Sequence, residues 1–459
     1  MRLRITESLR ESRENCAFTR TASNYFVDQP SQTKGEKVKR VKLLAIMSAF
    51  AMLATVAVAV PAKANTIEMT YLTPAYLKGT VATTERIVAD WNKANPTTKV
   101  KIVYGDVNNM DDKLTTAFAG NVAPDIFQHE AASILPFSKQ GYLANLTTEM
   151  RPIKSSMPAG LWNVGSYQAK LFGVPTMTQT YSVFANVDAF KKAGVAIPVG
   201  TNTFSWDDYR ALAKKFTTDG KYGVAWGLRS PAAMSMIMGM NYNAKFFRGL
   251  TSSGGAQLSI GAAELEVPSR IHQMIYTDKS IDPASLTMTG AGPIPGFLAG
   301  KYAMIFAATY IAGDLDVAAK ASGFNWTALP LLKGTSNQQG ANPQTLSVSA
   351  QSKYKKQAAA FIRFMVSDKN LAELALGEGL TPSTAGSLKI AQETKKGSAG
   401  WQQILDDGAA LALAPFTLVP GYQKWKDTVL QPAMQQYIQG KITITELKKR
   451  QLDGWRSIR

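Results

Sequence analysis

From Ile67 to Gln128 the chain alternates three short β-like runs with two amphipathic helical ones, and this restricts the fold more than any other feature. Residues 67–72 read as a strand, 81–95 as a helix stopped by Pro96, and 100–104 as a second strand. Residues 111–119 read as a second helix ending at Gly120, and 125–128 as a third strand. Strands joined through helices run parallel, and right-handed crossovers place them in one sheet. Functional side chains are then expected on the loops at the carboxyl ends of those strands. Later helices are equally legible: one over 206–216, capped by Ser205 with Asp207 and Asp208 in its first turn, then 355–366 and 445–452. A chain of 459 residues exceeds one ordinary core, so two α/β domains are expected.

Lys39, Arg40 and Lys42 precede an uncharged apolar run over 43–60, followed by Pro61-Ala62-Lys63-Ala64 and Asn65. This is the order of a secretory signal, with cleavage expected after Ala64 and a periplasmic destination. An uncleaved anchor is the alternative, since the run is near the shortest that spans a bilayer. The polar residues ahead of Lys37 read as lying upstream of the real signal. The one cysteine, Cys16, lies upstream as well, which leaves the exported part without disulfide, zinc-thiolate or thiol-nucleophile chemistry and disfavours a lipid anchor.

The formal charge of +18 raises the question of nucleic acid, but residues 1–64 carry +6 of it and the remainder is scattered. Pairs such as Lys191-Lys192, Lys214-Lys215 and Lys355-Lys356 fall in helical segments and read as solvated faces. No nucleic-acid partner is expected.

Several stretches then follow in a characteristic order. They begin with Trp91-Asn92-Lys93-Ala94-Asn95-Pro96 and Phe118-Ala119-Gly120-Asn121-Val122-Ala123-Pro124-Asp125-Ile126. Phe172-Gly173-Val174-Pro175, Ala185-Asn186-Val187-Asp188-Ala189-Phe190 and Phe204-Ser205-Trp206-Asp207-Asp208 come next. Phe297-Leu298-Ala299-Gly300-Lys301-Tyr302-Ala303-Met304 and Gly379-Leu380-Thr381-Pro382 complete the set. In this the chain resembles the family 1 extracellular solute-binding proteins of ABC sugar importers, relatives of the maltose-binding protein, over nearly all of 66–452. It departs from them chiefly at Ala185-Asn186-Val187-Asp188, where Tyr-Asn-Lys-Asp is commoner.

The resemblance implies a two-lobed periplasmic-binding-protein fold, each lobe a mainly parallel sheet flanked by helices, joined by a hinge of several chain crossings. The crossings are expected near Thr178, Thr345 and Ser383, giving lobe 1 as 65–178 and 346–384 and lobe 2 as 179–345 and 385–459. It also implies closure of the lobes on a carbohydrate and delivery to ABC permease subunits by a monomer that uses no cofactor and performs no catalysis.

A sugar presents apolar ring faces and a rim of hydroxyls, so its cleft needs aromatic plates and side chains that bind hydroxyls in pairs. Gln128, His129 and Glu130 follow the third strand and are the leading first-lobe candidates, whereas Asp125 reads as a structural cap. Tyr76, after the first strand, is a candidate plate. Gln179 and Thr180 lie at the presumed hinge, Gln179 near the position where the resemblance implies an acidic sugar contact. Tyr310, counted from Ala303-Met304, falls where the family places a stacking tryptophan. Trp226 with Arg229 follows a β-like run, Asn342 and Gln344 sit at the second crossing, and Tyr422 lies in a late loop. Trp91, Trp162 and Trp206 fall on helical segments and read as core; Met234, Met236, Met238 and Met240 read as packing.

Two alternatives remain open. A secreted glycosidase working through two carboxylates is one, although His129-Glu130 does not continue as a zinc motif because Ser133 stands where the second His belongs. The other keeps the fold and binds a sugar phosphate or glycerol phosphodiester, with Arg229 and Arg248 as the cations.

Overall fold

The computed structural model describes residues 66–458 apart from 75–77, 107–108, 219, 250–254 and 410, so the segment expected to be an export signal and Tyr76 lie outside the described residues. The opening alternation folds as its periods predict. β1 (Ile67–Pro74), β2 (Thr98–Gly105) and β3 (Ile126–Glu130) are joined through the helices Lys78–Ala94 and Met110–Ala119. β1 pairs in parallel with both β2 and β3, so the three strands deliver their carboxyl ends to one edge.

β4 (Gly173–Gln179) joins the larger sheet, and the smaller one is formed by β5 (Tyr181–Asn186), β6 (Tyr222–Trp226), β7 (Tyr302–Ala308) and β8 (Trp326–Ala328). β9 (Gly340–Val348), β10 (Thr381–Pro382) and β11 (Ala412–Leu413) return to the larger one. Its order is β10-β4-β9-β3-β1-β2, with β11 beside β9, while the smaller sheet runs β8-β5-β7-β6. Both are mixed. β9 runs antiparallel to β3 and β4, and β5 antiparallel to β7 and β8, because these strands enter from the opposite sheet.

The chain therefore passes between sheets at Gln179-Thr180-Tyr181 and again between Ala328 and Gly340. Thr345, near which a crossing was expected, lies inside β9, paired with His129 and Pro175 of the larger sheet. Each sheet has its own core. Met69, Tyr71, Trp91, Trp162 and Phe361 pack on the larger one, and Phe190, Trp206, Trp226, Phe306 and Trp425 on the smaller. Trp91, Trp162 and Trp206 are thus core residues, as their helical positions require. So are the four methionines, on the helix Ala232–Gly239 and the turn after it, which is buried on nearly every side.

Local chemistry explains individual elements. Ser205 and Asp208 exchange hydrogen bonds, each side chain accepting from the other's backbone N–H at 3.1 and 3.0 Å, a closed capping box at the start of the helix Trp206–Lys215. Asp125 is structural, but it ties segments together rather than capping a helix. Its carboxylate accepts from the Thr70 backbone at 2.8 Å and from the Ser352 hydroxyl at 2.6 Å, joining β1 to the loop after β9.

Candidate functional site

The carboxyl end of β3 meets the first passage between the sheets, and the candidate site forms there. Across the β9 ladder Glu130 faces Gln344 and Gln128 faces Leu346, while Asn342 faces Gln179 on β4. Successive β3 side chains point to opposite faces, so Gln128 and Glu130 share one face and His129 takes the other.

Gln128 is spent inside the fold. Its Oε1 accepts from Thr73 Oγ1 at 2.7 Å and from the Tyr71 hydroxyl at 3.2 Å, and its Nε2 donates to Gln344 Oε1 at 3.1 Å. At 2% exposure its amide is turned into the fold, with Gln344 as its partner on β9. His129 is buried as well, with Nε2 2.7 Å from Asp111 Oδ1 on the helix Met110–Ala119. Burial would raise the Asp111 carboxyl, but the hydrogen bond and charge of His129, the Ser133 hydroxyl and the charge of Lys426 outweigh it and hold it below the ordinary range.

Glu130 differs from both. It is half-buried, and no described residue pairs with its carboxylate or hydrogen-bonds to it. Its charge nevertheless reaches two tyrosines of the smaller sheet's core. Burial raises the Tyr181 hydroxyl well above its ordinary value, nearby Tyr310 and Glu130 add to this, and a hydrogen bond with Gln179 opposes it. Burial likewise raises Tyr422, with Glu130 the next contribution. Tyr181 stacks on Phe306 with centroids 5.9 Å apart and planes 7° from parallel. Tyr310 packs against the cores of both sheets, which makes it a link between them.

Glu130, Gln179, Gln344, Tyr181, Tyr310 and Tyr422 thus gather around one junction. Other candidates do not. Trp226 is 2% exposed, stacked on Trp206 and packed 4.2 Å from Phe306, so core packing has taken the ring proposed as a plate. Thr180 is wholly buried, its carbonyl accepting from Thr309 N–H at 3.0 Å, and it belongs to the passage itself. Arg229 stands exposed after β6, as Arg248 does on the short strand Phe247–Arg248. Asn342 keeps its ladder position, but its side chain lies outside the described part. Tyr181 and Asp111, not among the expected candidates, stand beside them. Tyr181 sits one residue beyond two named candidates, and Asp111 lies in the first turn of the helix that follows β2, so their positions carried a signal. Among the described residues no three His, Cys, Asp or Glu side chains converge as a metal site requires.

Residues 75–372 match the model of the bacterial extracellular solute-binding proteins. The chain belongs to that family. An uncharacterized lipoprotein from the oleD 5' region of Streptomyces antibioticus is 33% identical over 380 residues, 82% of this chain and 83% of the relative. The arabinooligosaccharide-binding protein of Bacillus subtilis is 32% identical over a shorter stretch of 162 residues, 34% of this chain and 37% of that one. Among solved structures, the Listeria monocytogenes ABC substrate-binding protein Lmo0181, in complex with cycloalternan, superposes with a TM-score of 0.72. It covers 86% of this chain and 99% of its own at 20% identity, so that likeness is one of fold. This solute-binding protein therefore has the two-lobed architecture of that group, with the candidate site where the two sheets meet.

Proposed function

We propose that this solute-binding protein captures a carbohydrate between its two lobes outside the cytoplasm and delivers it to an ABC permease, leaving the sugar chemically unchanged. The observation that carries the reading is the Glu130 carboxylate. It is half-buried, free of protein partners among the described residues, and close to tyrosines that the other sheet supplies. A carboxylate of this kind accepts two hydroxyl hydrogen bonds, Gln179 adds an amide, and Tyr310 offers an aromatic face. Contributions from both sheets mean that the ligand is enclosed only when the lobes come together.

The relatives' names support a sugar: one binds arabino-oligosaccharide and another holds cycloalternan. A sugar phosphate fits less well, because the charge that reaches the tyrosines is negative and Lys426 already faces Asp427 at 3.3 Å. In the proposed organisation the mature protein begins at Asn65, acts as a monomer in the periplasm, and hinges at the passage through Thr180.

The test is a thermal-shift screen of the chain from Asn65 onward against neutral oligosaccharides, polyols and sugar phosphates. A ligand that binds only the folded state raises the melting temperature. A shift with a neutral sugar that is recovered intact supports the reading. Shifts confined to phosphorylated compounds, or turnover of a glycoside in the same wells, overturn it.

A further inference from the structure

Gln339 is wholly buried and immediately precedes β9, the second strand to pass between the sheets. Its side-chain amide faces the backbone of Tyr181, the residue that completes the first passage. Nε2 donates to the Tyr181 carbonyl at 2.9 Å, and Oε1 accepts from the Tyr181 N–H at 3.4 Å. The second Nε2 hydrogen points to Met238 Sδ at 2.8 Å, on the helix Ala232–Gly239.

A primary amide carries a donor and an acceptor side by side, as a strand's backbone does, so here a side chain stands in for a ladder partner. The need for one is local. Tyr181 opens β5 opposite Ala308 of β7, but on the other edge β8 pairs only as far as Phe184 and the Leu329 N–H reaches Val183, so that edge has no ladder strand beside the tyrosine whose hydroxyl is near Glu130, Tyr310 and Gln179. Thr180 is fixed by Thr309, while Tyr181 is held by the residue at the mouth of the second passage.

We infer that Gln339 is a positioning residue that clamps the Tyr181 backbone, couples the two passages, and sets where the Tyr181 hydroxyl stands in the binding site. It touches no ligand. The link from this clamp to affinity rests on the proposed sugar site, but the clamp itself does not. Methionine lacks both hydrogen-bonding groups at nearly the same length, so Gln339→Met removes the clamp with little change in volume. Met238→Leu is milder: it keeps the amide and removes only the sulfur against which it is braced.

The experiment labels the mature chain with 3-fluorotyrosine, assigns the Tyr181 fluorine signal with Tyr181→Phe, and compares the variants without ligand. Gln339→Met is expected to displace and broaden the Tyr181 signal while the Tyr142 and Tyr437 signals stay in place, and Met238→Leu to move it less in the same direction. A Tyr181 signal that stays put in folded Gln339→Met, or in Met238→Leu should the first variant not fold, overturns the clamp. A double-mutant cycle with a neutral oligosaccharide from the screen then tests the consequence. Gln339→Met is expected to weaken binding roughly five- to tenfold when Tyr181 is present and not when it is Phe, because the effect runs through that hydroxyl. Equal losses in both backgrounds would mean that Gln339 acts on the fold at large, and would also overturn the inference. Since the fluorine readout needs no ligand, failure of the clamp and failure of the sugar reading appear in different experiments.

Discussion

Glu378 closes the helix Asp368–Glu378 with 2% of its surface exposed, and its Oε2 meets no hydrogen-bond partner among the described residues. Burial raises its carboxyl from the ordinary 4.5 to about 8. The negative end of its own helix opposes ionisation further. In the unfolded chain this carboxyl loses its proton at the ordinary value, whereas the folded protein keeps it to about pH 8. Folding therefore takes up a proton in that window. Stability is full below the unfolded value, declines as the pH rises through the window, and levels off above the folded value. At ~1.36 kcal/mol per unit, the gap of about 3.5 units bounds the decline at about 5 kcal/mol. Asp407, which burial raises from 3.8 to about 7, pulls the wild-type curve the same way. Glutamine mimics the neutral acid and cannot ionise. Urea unfolding of wild type and Glu378→Gln is expected to give similar stabilities near pH 5, with the variant ahead by several kcal/mol near pH 9. Parallel curves across that range would show that Glu378 is not held as the neutral acid and would refute the reasoning.

Glu130→Ala is expected to weaken binding of a neutral sugar by one to two orders of magnitude in calorimetry, the loss of a charged acceptor costing roughly 1–3 kcal/mol, with little change in melting temperature. Tyr310→Ala should lower affinity about tenfold and also lower the melting temperature, because the ring packs against both cores. Asp125→Ala cuts the tie between β1 and the Ser352 loop and is expected to cost about 1–3 kcal/mol in urea unfolding. Gly379 ends its helix at φ 72°, and a methyl there would press on the Thr309 carbonyl at 2.7 Å. Gly379→Ala should therefore destabilise by about 1–3 kcal/mol, measured by the same unfolding curves, and disturb Tyr310.

What could be foreseen divides along a physical line. The strand and helix alternation up to Glu130, the Ser205 cap and the helical tryptophans depend on neighbours within a few residues, and local period and capping chemistry report them. Trp226, Gln128 and Thr180 look like ligand groups by residue type and position in the chain, but partners far along the sequence take them up: Trp206 and Phe306, Gln344, and Thr309. Strand alternation separates Gln128 from His129, yet it takes β9 on one side to bring Gln344 to Gln128 and the helix Met110–Ala119 to bring Asp111 to His129. Gln339 is the extreme case. It is an unremarkable residue in a polar loop until the second passage brings it 158 positions back to Tyr181. Where a candidate site forms at the passage between two sheets, the crossings decide which side chains are left open to solvent there. Residue type alone therefore proposes more candidate contacts than the fold leaves open, and passes over groups such as Gln339 that brace the backbone beside them.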